Sequence, residues 1–402
     1  MSKNTLKNRR ILISGASIAG PALAYWLQEY GFEVTIAEHA PALRPGGYGV
    51  DLRGAAIKVI EKMGILDGVR AQDTNMRGVY FVDAEGKVEG QMSDAAMANH
   101  QGVDIEIMRE DLAHNLYNLT KDTVNYIWND SITVLDETED GIEVQFAHTQ
   151  PQTFDLVIGA DGMHSGVRQL VFGDESQFSR PLGCYISIFT LKNYLNIDHR
   201  ELFYNVPGKT VGMYSARNNT EAKSMFLFRS APLRYDFHDI DAQKRLVAEA
   251  FAGQAGWETE RLLQYMGKSQ DFYFDAISQI HMPVWSKGRV ALVGDAAYGP
   301  SPLSGQGSSL AIVGAYVLAG ELKAAKGNYT AAFAAYEQQM RPFVEKNQKI
   351  GKMVASSMVE NSKLRIWLRN VTLRVPGLTS GMFKMITTAV TKAANAIELK
   401  IY

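Results

Sequence analysis

At 402 residues, with 41 basic against 43 acidic side chains and a formal charge of -2, the chain can bury a large core in two domains and does not have the charge of a nucleic-acid-binding surface. A single cysteine, Cys184, excludes an internal disulfide framework and a cysteine-rich metal site, and no metal is expected. No stretch is apolar for long enough to span a membrane, and the N-terminal apolar run is too short for a signal peptide, so a cytoplasmic enzyme, monomeric or weakly dimeric, is expected.

The first element is a buried strand, Ile11 to Ser14, which runs into Gly15-Ala16-Ser17-Ile18-Ala19-Gly20 and an apolar helix, Pro21 to Tyr30. In such a turn Gly15 makes the tight bend, position 17 lets the backbone approach a pyrophosphate, and Gly20 lets helix and strand pack closely. Ser17 stands where the middle glycine is usual. After Gly31 the strand Glu33 to Glu38 ends on a carboxylate, at the distance where an acidic residue grips an adenosine ribose. The glycine-rich stretch from Ala42 to Arg53 reads as a loop skirting a cofactor, with Arg44 and Arg53 available to a phosphate, a second nucleotide or solvent. A helix from Ala55 to Met63, a hairpin of Gly78 to Asp83 with Lys87 to Met92, and an alternating strand from Val103 to Met108 follow. Arg109 stands at the junction with the helix Glu110 to Asn118, placed for a cofactor phosphate or ribityl contact or for pairing with Glu110 or Asp111.

Thr123 to Trp128, Ile132 to Thr138 and Ile142 to Phe146 alternate and predict a small antiparallel region. Phe154 to Gly159 is a second buried strand, delivering Asp161 and Gly162 to a nucleotide-type turn before a helix at Ser165 to Arg168. Residues 174–286 are β-rich, with helices near 241–252 and 257–266, and read as a substrate domain inserted into a discontinuous cofactor domain of residues 1–173 and 287–341. The strand Val290 to Val293 then stops at Gly294 and Asp295, and a Gly/Pro/Ser turn through Pro302, Gly305 and Gly307 opens a long apolar helix. A hydroxyl acceptor beside a positive helix end suits a flavin, whose ribityl chain carries hydroxyls and whose reduced ring carries negative charge. Beyond Thr330 to Met340, Pro342 is expected to kink or restart the helix, and residues 342–402 form a net basic helical segment with a break at Pro376-Gly377.

Three stretches in this order, GASIAG with Glu38, LVIGADGMHSGVR and GRVALVGDAAYGPSPLSGQG, resemble the group A flavoprotein monooxygenases. The resemblance implies an α/β fold: a Rossmann-like FAD-binding domain of the para-hydroxybenzoate hydroxylase type, an inserted β-sheet substrate domain, and C-terminal helices. It implies one FAD, with the pyrophosphate on Gly15, Ser17, Ile18, Ala19 and Gly20, the adenosine ribose on Glu38 and the ribityl phosphate on Arg109. Gly294 and Asp295 would meet the ribityl chain, Pro302, Gly305 and Gly307 the ring, and Asp161 and Gly162 both FAD and a pyridine nucleotide. Tyr298 stands where the family usually has histidine after Gly-Asp-Ala-Ala.

Within that family, LRPGGYGVDLRG and QDFYFDAISQIHMPVWSKGR look like the tetracycline destructases of the soil and Legionella type. That likeness would set Arg44 beside the nicotinamide route and Asp51 beside the flavin. The implied chemistry is reduction by NADPH or NADH, then transfer of one oxygen of O2 through a flavin hydroperoxide to an aromatic or polycyclic enol, with tetracycline foremost and no single protein residue as catalyst. The alternatives are an aromatic or polyketide hydroxylase and a non-oxygenating flavoprotein. Tyr185, Phe189, Tyr204, Met213, Met225 and Phe226 are candidates for the substrate surface, although alternation allows only some of them to face the flavin. The helices after Pro342 are expected to gate the pocket.

Overall fold

The computed structural model describes residues 6–93, 104–374 and 387–402; the expected strand start at Val103 and the break at Pro376-Gly377 lie outside them. The continuous apolar runs form a six-stranded sheet, ordered Ser286–Lys287, Val290–Leu292, Leu156–Gly159, Arg10–Ser14, Glu33–Glu38, Asn125–Trp128. Every pair is parallel except the first. Ile11, Leu12 and Ile13 have no exposed surface, because both faces of this sheet are covered, and strands buried on both faces read as runs rather than alternations. Three adjacent strands therefore end at one edge, and the turns after Ser14, Gly159 and Leu292 share a crevice. Helix Gly307–Ala324 is buried from Ser309 to Leu322 because it packs between helices Ala19–Glu29 and Tyr329–Met358, so its sequence is apolar on all sides.

A second sheet has seven strands, ordered Tyr273–Ile280, Ser179–Lys192, Glu221–Arg229, Lys209–Ala216, Glu201–Val206, Gly78–Val82, Val88–Ser93. Its last two strands are the early hairpin, joined by parallel pairing of Gly78–Val82 with Glu201–Val206. The substrate sheet thus extends beyond residues 174–286 and takes its edge from the first third of the chain. One face packs Tyr185, Phe189, Met213 and Phe226 against Val247 and the C-cap Phe251 of the helix Ile240–Ala250 and Leu262 and Met266 of the helix Thr259–Lys268. The other face gathers Cys184, Ile186, Ile188, Phe203, Met225 and Leu227 against Tyr48 and Leu303 of the nucleotide half.

Pro342 neither kinks off a new element nor ends one: it lies inside a single helix, Tyr329–Met358. A proline removes one backbone hydrogen bond, and a helix anchored by buried Tyr336, Met340, Phe343 and Val344 on either side of it tolerates that loss. No helix of the described residues is long and apolar enough to cross a membrane.

Candidate active site

The crevice is built from backbone first. Gly15 has φ +107, and a Cβ there would lie 2.5 Å from the Ala160 carbonyl oxygen, while one at Gly20 would collide with the Gly15 carbonyl. The first two turns are therefore interlocked, and side chains are excluded where a pyrophosphate would pass. Ser17, in place of the middle glycine, accepts a hydrogen bond from the Arg109 guanidinium at 2.9 Å. Arg109 also lies across the loop, since a Cβ on Gly47 would come within 2.9 Å of its Nε. Ile18 and Ala19 are buried at the start of the first helix.

Glu38 is buried, and its two oxygens accept the N–H groups of Ala16 at 2.8 Å and Ala40 at 3.0 Å. Burial raises the cost of its charge, but the His39 ring at 3.0 Å and these two N–H groups outweigh it and hold the carboxyl at about 2. A carboxylate has about four lone-pair directions, so a sugar hydroxyl can still be accommodated. Arg44 is exposed at this adenosine end, 2.7 Å from His39 Nε2 and 4.0 Å from Glu38. Asp161 turns back onto its own helix, accepting from Ser165 Oγ at 2.5 Å and from the Val167 N–H at 3.0 Å, while Gly162 at φ +81 leaves open space beside it.

At the opposite end, Ser301 is held at φ +91, Pro302–Ser304 make one 3-10 turn, and Gly305 at φ +62 leads into the long helix. Two carboxylates flank that helix start. A Cβ on Gly305 would lie 2.5 Å from Asp51 Oδ2, and one on Gly307 would lie 3.6 Å from Asp295 Oδ1. Burial pushes the Asp295 carboxyl up to about 6. Between them Gln306 has no exposed surface, and neither its amide oxygen nor its nitrogen has a partner. Such an orphaned buried amide is costly, and a bound group would relieve it. Side-chain-free turns, carboxylates at both ends and an unpaired amide at one of them fit an extended dinucleotide with a ring at the Gly305 end.

A model of the FAD binding domain matches residues 8–349. The chain belongs to the FAD-binding monooxygenase family. An uncharacterized protein of Mycobacterium tuberculosis is 46% identical over 342 residues, covering 85% of this chain and 92% of its own. A flavin-dependent monooxygenase of Legionella longbeachae is 42% identical, covering 88% of this chain and 90% of its own. The crystal structure of tetracycline destructase Tet(55) is similar over 100% of both chains, with TM-score 0.84 and 42% identity.

Within this flavin-dependent monooxygenase the expected substrate surface needs correction. Of the six candidates only Met225 lies on the face turned to Tyr48 and Leu303. Tyr185, Phe189, Tyr204, Met213 and Phe226 pack beneath the helices on the far face, where they form core. Arg53 is not free for a phosphate either, because it pairs with Asp51 at 3.0 Å and stands 3.8 Å from Asp104. Tyr298, in the usual histidine position, points away from the crevice into the core: its hydroxyl is 3.0 Å from that of Tyr336, and its ring is 4.7 Å from that of Trp285.

The monooxygenase also brings in groups that the sequence does not single out. Glu106 lies opposite Asp51 in the strand register, and Glu201 joins them from the substrate sheet; burial and then the Asp51 charge push both carboxyls up. Alternation in Ile105-Glu106-Ile107 separates Glu106 from its buried neighbours but does not say what it faces. Tyr48 and Tyr273 meet against the apolar face, ring centroids 6.0 Å apart.

Proposed function

We propose that this enzyme uses NADPH or NADH and O2 to add one oxygen atom to a planar aromatic or polycyclic enol, with tetracyclines as its substrate class. The reading is carried by one observation: the turn Pro302–Gly307 lies against the apolar face of the substrate sheet, with Leu303 packed on the cluster that holds Ile186, Ile188, Met225 and Leu227. Those side chains are buried, so the substrate chamber that this reading requires would open beside a dry, apolar wall. The likeness to Tet(55) along the whole chain supports the tetracycline assignment.

Bound FAD would supply the electron transfer and oxygen activation. The chain supplies position and field. Gly15 to Gly20 would admit the pyrophosphate, with Arg109 beside it, and Glu38 and Asp295 would accept sugar and ribityl hydroxyls. The Gly305 and Gln306 N–H groups donate to the Pro302 carbonyl and Ser304 Oγ, so it is the first turn of the helix Gly307–Ala324 that would put positive potential where a reduced ring gathers negative charge. The apolar sheet face excludes water that would otherwise waste activated oxygen. Arg44, exposed at the adenosine end beside His39, would meet the phosphates of a transiently docked nicotinamide nucleotide, and Asp161 and Gly162 would border its approach.

The test is to incubate the holoenzyme, NADPH and O2 with tetracycline and, separately, with simple phenols, following absorbance and product mass. A tetracycline product heavier by one oxygen is expected. Turnover of phenols alone would replace the substrate class, and reductant consumption with no oxygenated product would remove the oxygenase reading.

A further inference from the structure

A buried carboxylate interrupts the apolar face described above. Asp275 pairs in register with Ile186, and its side chain is only 8% exposed. It is crowded with donors: His164 Nε2 is 3.1 Å and Tyr273 OH 3.2 Å from Oδ2, and Tyr235 OH is 3.2 Å and the Ala276 N–H 2.7 Å from Oδ1. The His164 side chain is 38% exposed and belongs to the nucleotide half, in the turn after Asp161. Its Nδ1 is 3.0 Å from Glu175 Oε1, Glu175 is in turn held by Arg168 at 2.6 Å, and Phe237 covers the imidazole at 4.0 Å between centroids. On the inner side Tyr273 faces Tyr48, and the phenol feels the charges of both Asp275 and Asp295.

We propose that His164, Asp275 and Tyr273 carry protons between solvent and the chamber beside the Pro302–Gly307 turn, with Tyr273 as the inner end. The proposal rests on the oxygenase reading, whose balance requires such a path. Substrate RH, O2, NAD(P)H and one proton give ROH, water and NAD(P)+, so each turnover draws a proton from solvent into a chamber walled by apolar side chains. Along the path Asp275 Oδ2 first takes a proton from His164 Nε2 and passes it to Tyr273 as the phenol gives its own hydroxyl proton inward. The imidazole, left neutral with its proton on Nδ1, turns over to present that nitrogen to Asp275 and takes a new proton on its other nitrogen from the Glu175 side, which is open to water. Burial works against the charge on His164, but Asp275 and Glu175 on opposite edges of the ring outweigh it and hold it protonated well above its usual range, up to about 9, so that it carries a proton at neutral pH. A carboxylate that merely tethered the two domains would need no phenol leading inward from it.

The test uses holoenzyme without substrate. Bound FAD is photoreduced anaerobically in the presence of a pH-indicator dye, and proton uptake is timed in wild type, Tyr273→Phe, Asp275→Asn and His164→Ala. Expected is FAD affinity within twofold of wild type in all variants, uptake slowed at least tenfold, and recovery of the His164→Ala rate on adding imidazole. Wild-type uptake rates in Tyr273→Phe and Asp275→Asn would overturn the path, as would slow uptake in His164→Ala that imidazole does not restore. Normal wild-type uptake with slowed variants, but no oxygenated product from any compound, would sink the oxygenase reading and leave the path standing.

Discussion

Asp295 follows the buried strand Val290–Leu292 as the first residue of the one-turn helix Asp295–Tyr298, and its carboxyl is pushed from an ordinary 3.8 up to about 6 by its own burial alone. A carboxyl raised on folding binds its proton more tightly in the folded chain. The ionised side chain therefore costs nothing below about pH 3.8 and its full cost above about pH 6, roughly 3 kcal/mol at most at about 1.4 kcal/mol per unit. Asp295→Asn should raise the melting temperature of the FAD-free protein at pH 8 with little gain at pH 4, and should weaken FAD binding at least tenfold. Melts at the two pH values and a fluorescence titration with FAD check both halves. Glu38 is the mirror case: its carboxyl is lowered from 4.5 to about 2, so its stabilisation is complete above pH 4.5 and fades as pH falls toward 2. Glu38→Gln keeps one acceptor for two N–H groups and should cost about 1–3 kcal/mol. It should also flatten the loss of stability between pH 4.5 and 2, as read by urea unfolding.

The central helix Gly307–Ala324 is as tightly constrained as the turn that starts it. A Cβ at Gly314 would run into the Tyr298 hydroxyl and stand 3.4 Å from Val293 Cγ2, so Gly314→Ala should destabilise by about 1–3 kcal/mol. Tyr298→Phe removes the obstructing oxygen, while Tyr336 keeps its bond to the Leu292 carbonyl at 3.1 Å. The double variant should recover part of the loss, and a double-mutant cycle by chemical denaturation measures the coupling. The nucleotide elements were legible because their signals are local: apolar runs ending at Gly15, Asp161 and Asp295 declare strand, turn and helix within a few residues. The faces of the substrate sheet were not. Alternation separates Tyr185, Phe189 and Phe226 from Ile186, Ile188 and Leu227, but both sets are apolar because helices cover one face and the nucleotide half the other. Aromatic content marked the thicker core rather than the chamber. Glu106 and Glu201 escaped notice because their meaning depends on a register partner far away in sequence.

At the scale of the molecule, contacts distant in sequence hold the nucleotide half to the substrate sheet and the C-terminal strap to the body. Arg217 of the substrate domain reaches Glu110 at 2.9 Å and Asp111 at 3.2 Å, next to the Arg109 that meets Ser17. The residues Lys400 to Tyr402 strap the opposite side: the Tyr402 ring covers Gly320, and Glu321, only 6% exposed, receives Lys400 Nζ at 2.5 Å and Tyr402 OH at 2.8 Å. Deleting Lys400, Ile401 and Tyr402 strands a buried carboxylate and should cost about 3–5 kcal/mol. Adding Glu321→Gln to the deletion should restore part of that stability, because the stranded charge is gone. Thermal unfolding of the three proteins decides it.

The early hairpin has a consequence for how the chain is made. Gly78–Val82 pairs in parallel with Glu201–Val206, a strand synthesised much later. While the ribosome is still producing the intervening residues, the hairpin carries an unpaired edge with Val79 and Phe81 uncovered, the kind of edge that recruits other chains. Shear between the halves in the finished enzyme is prevented by the same pairing that leaves the nascent one exposed, so truncated N-terminal products ending before Glu201 should aggregate where the full chain folds.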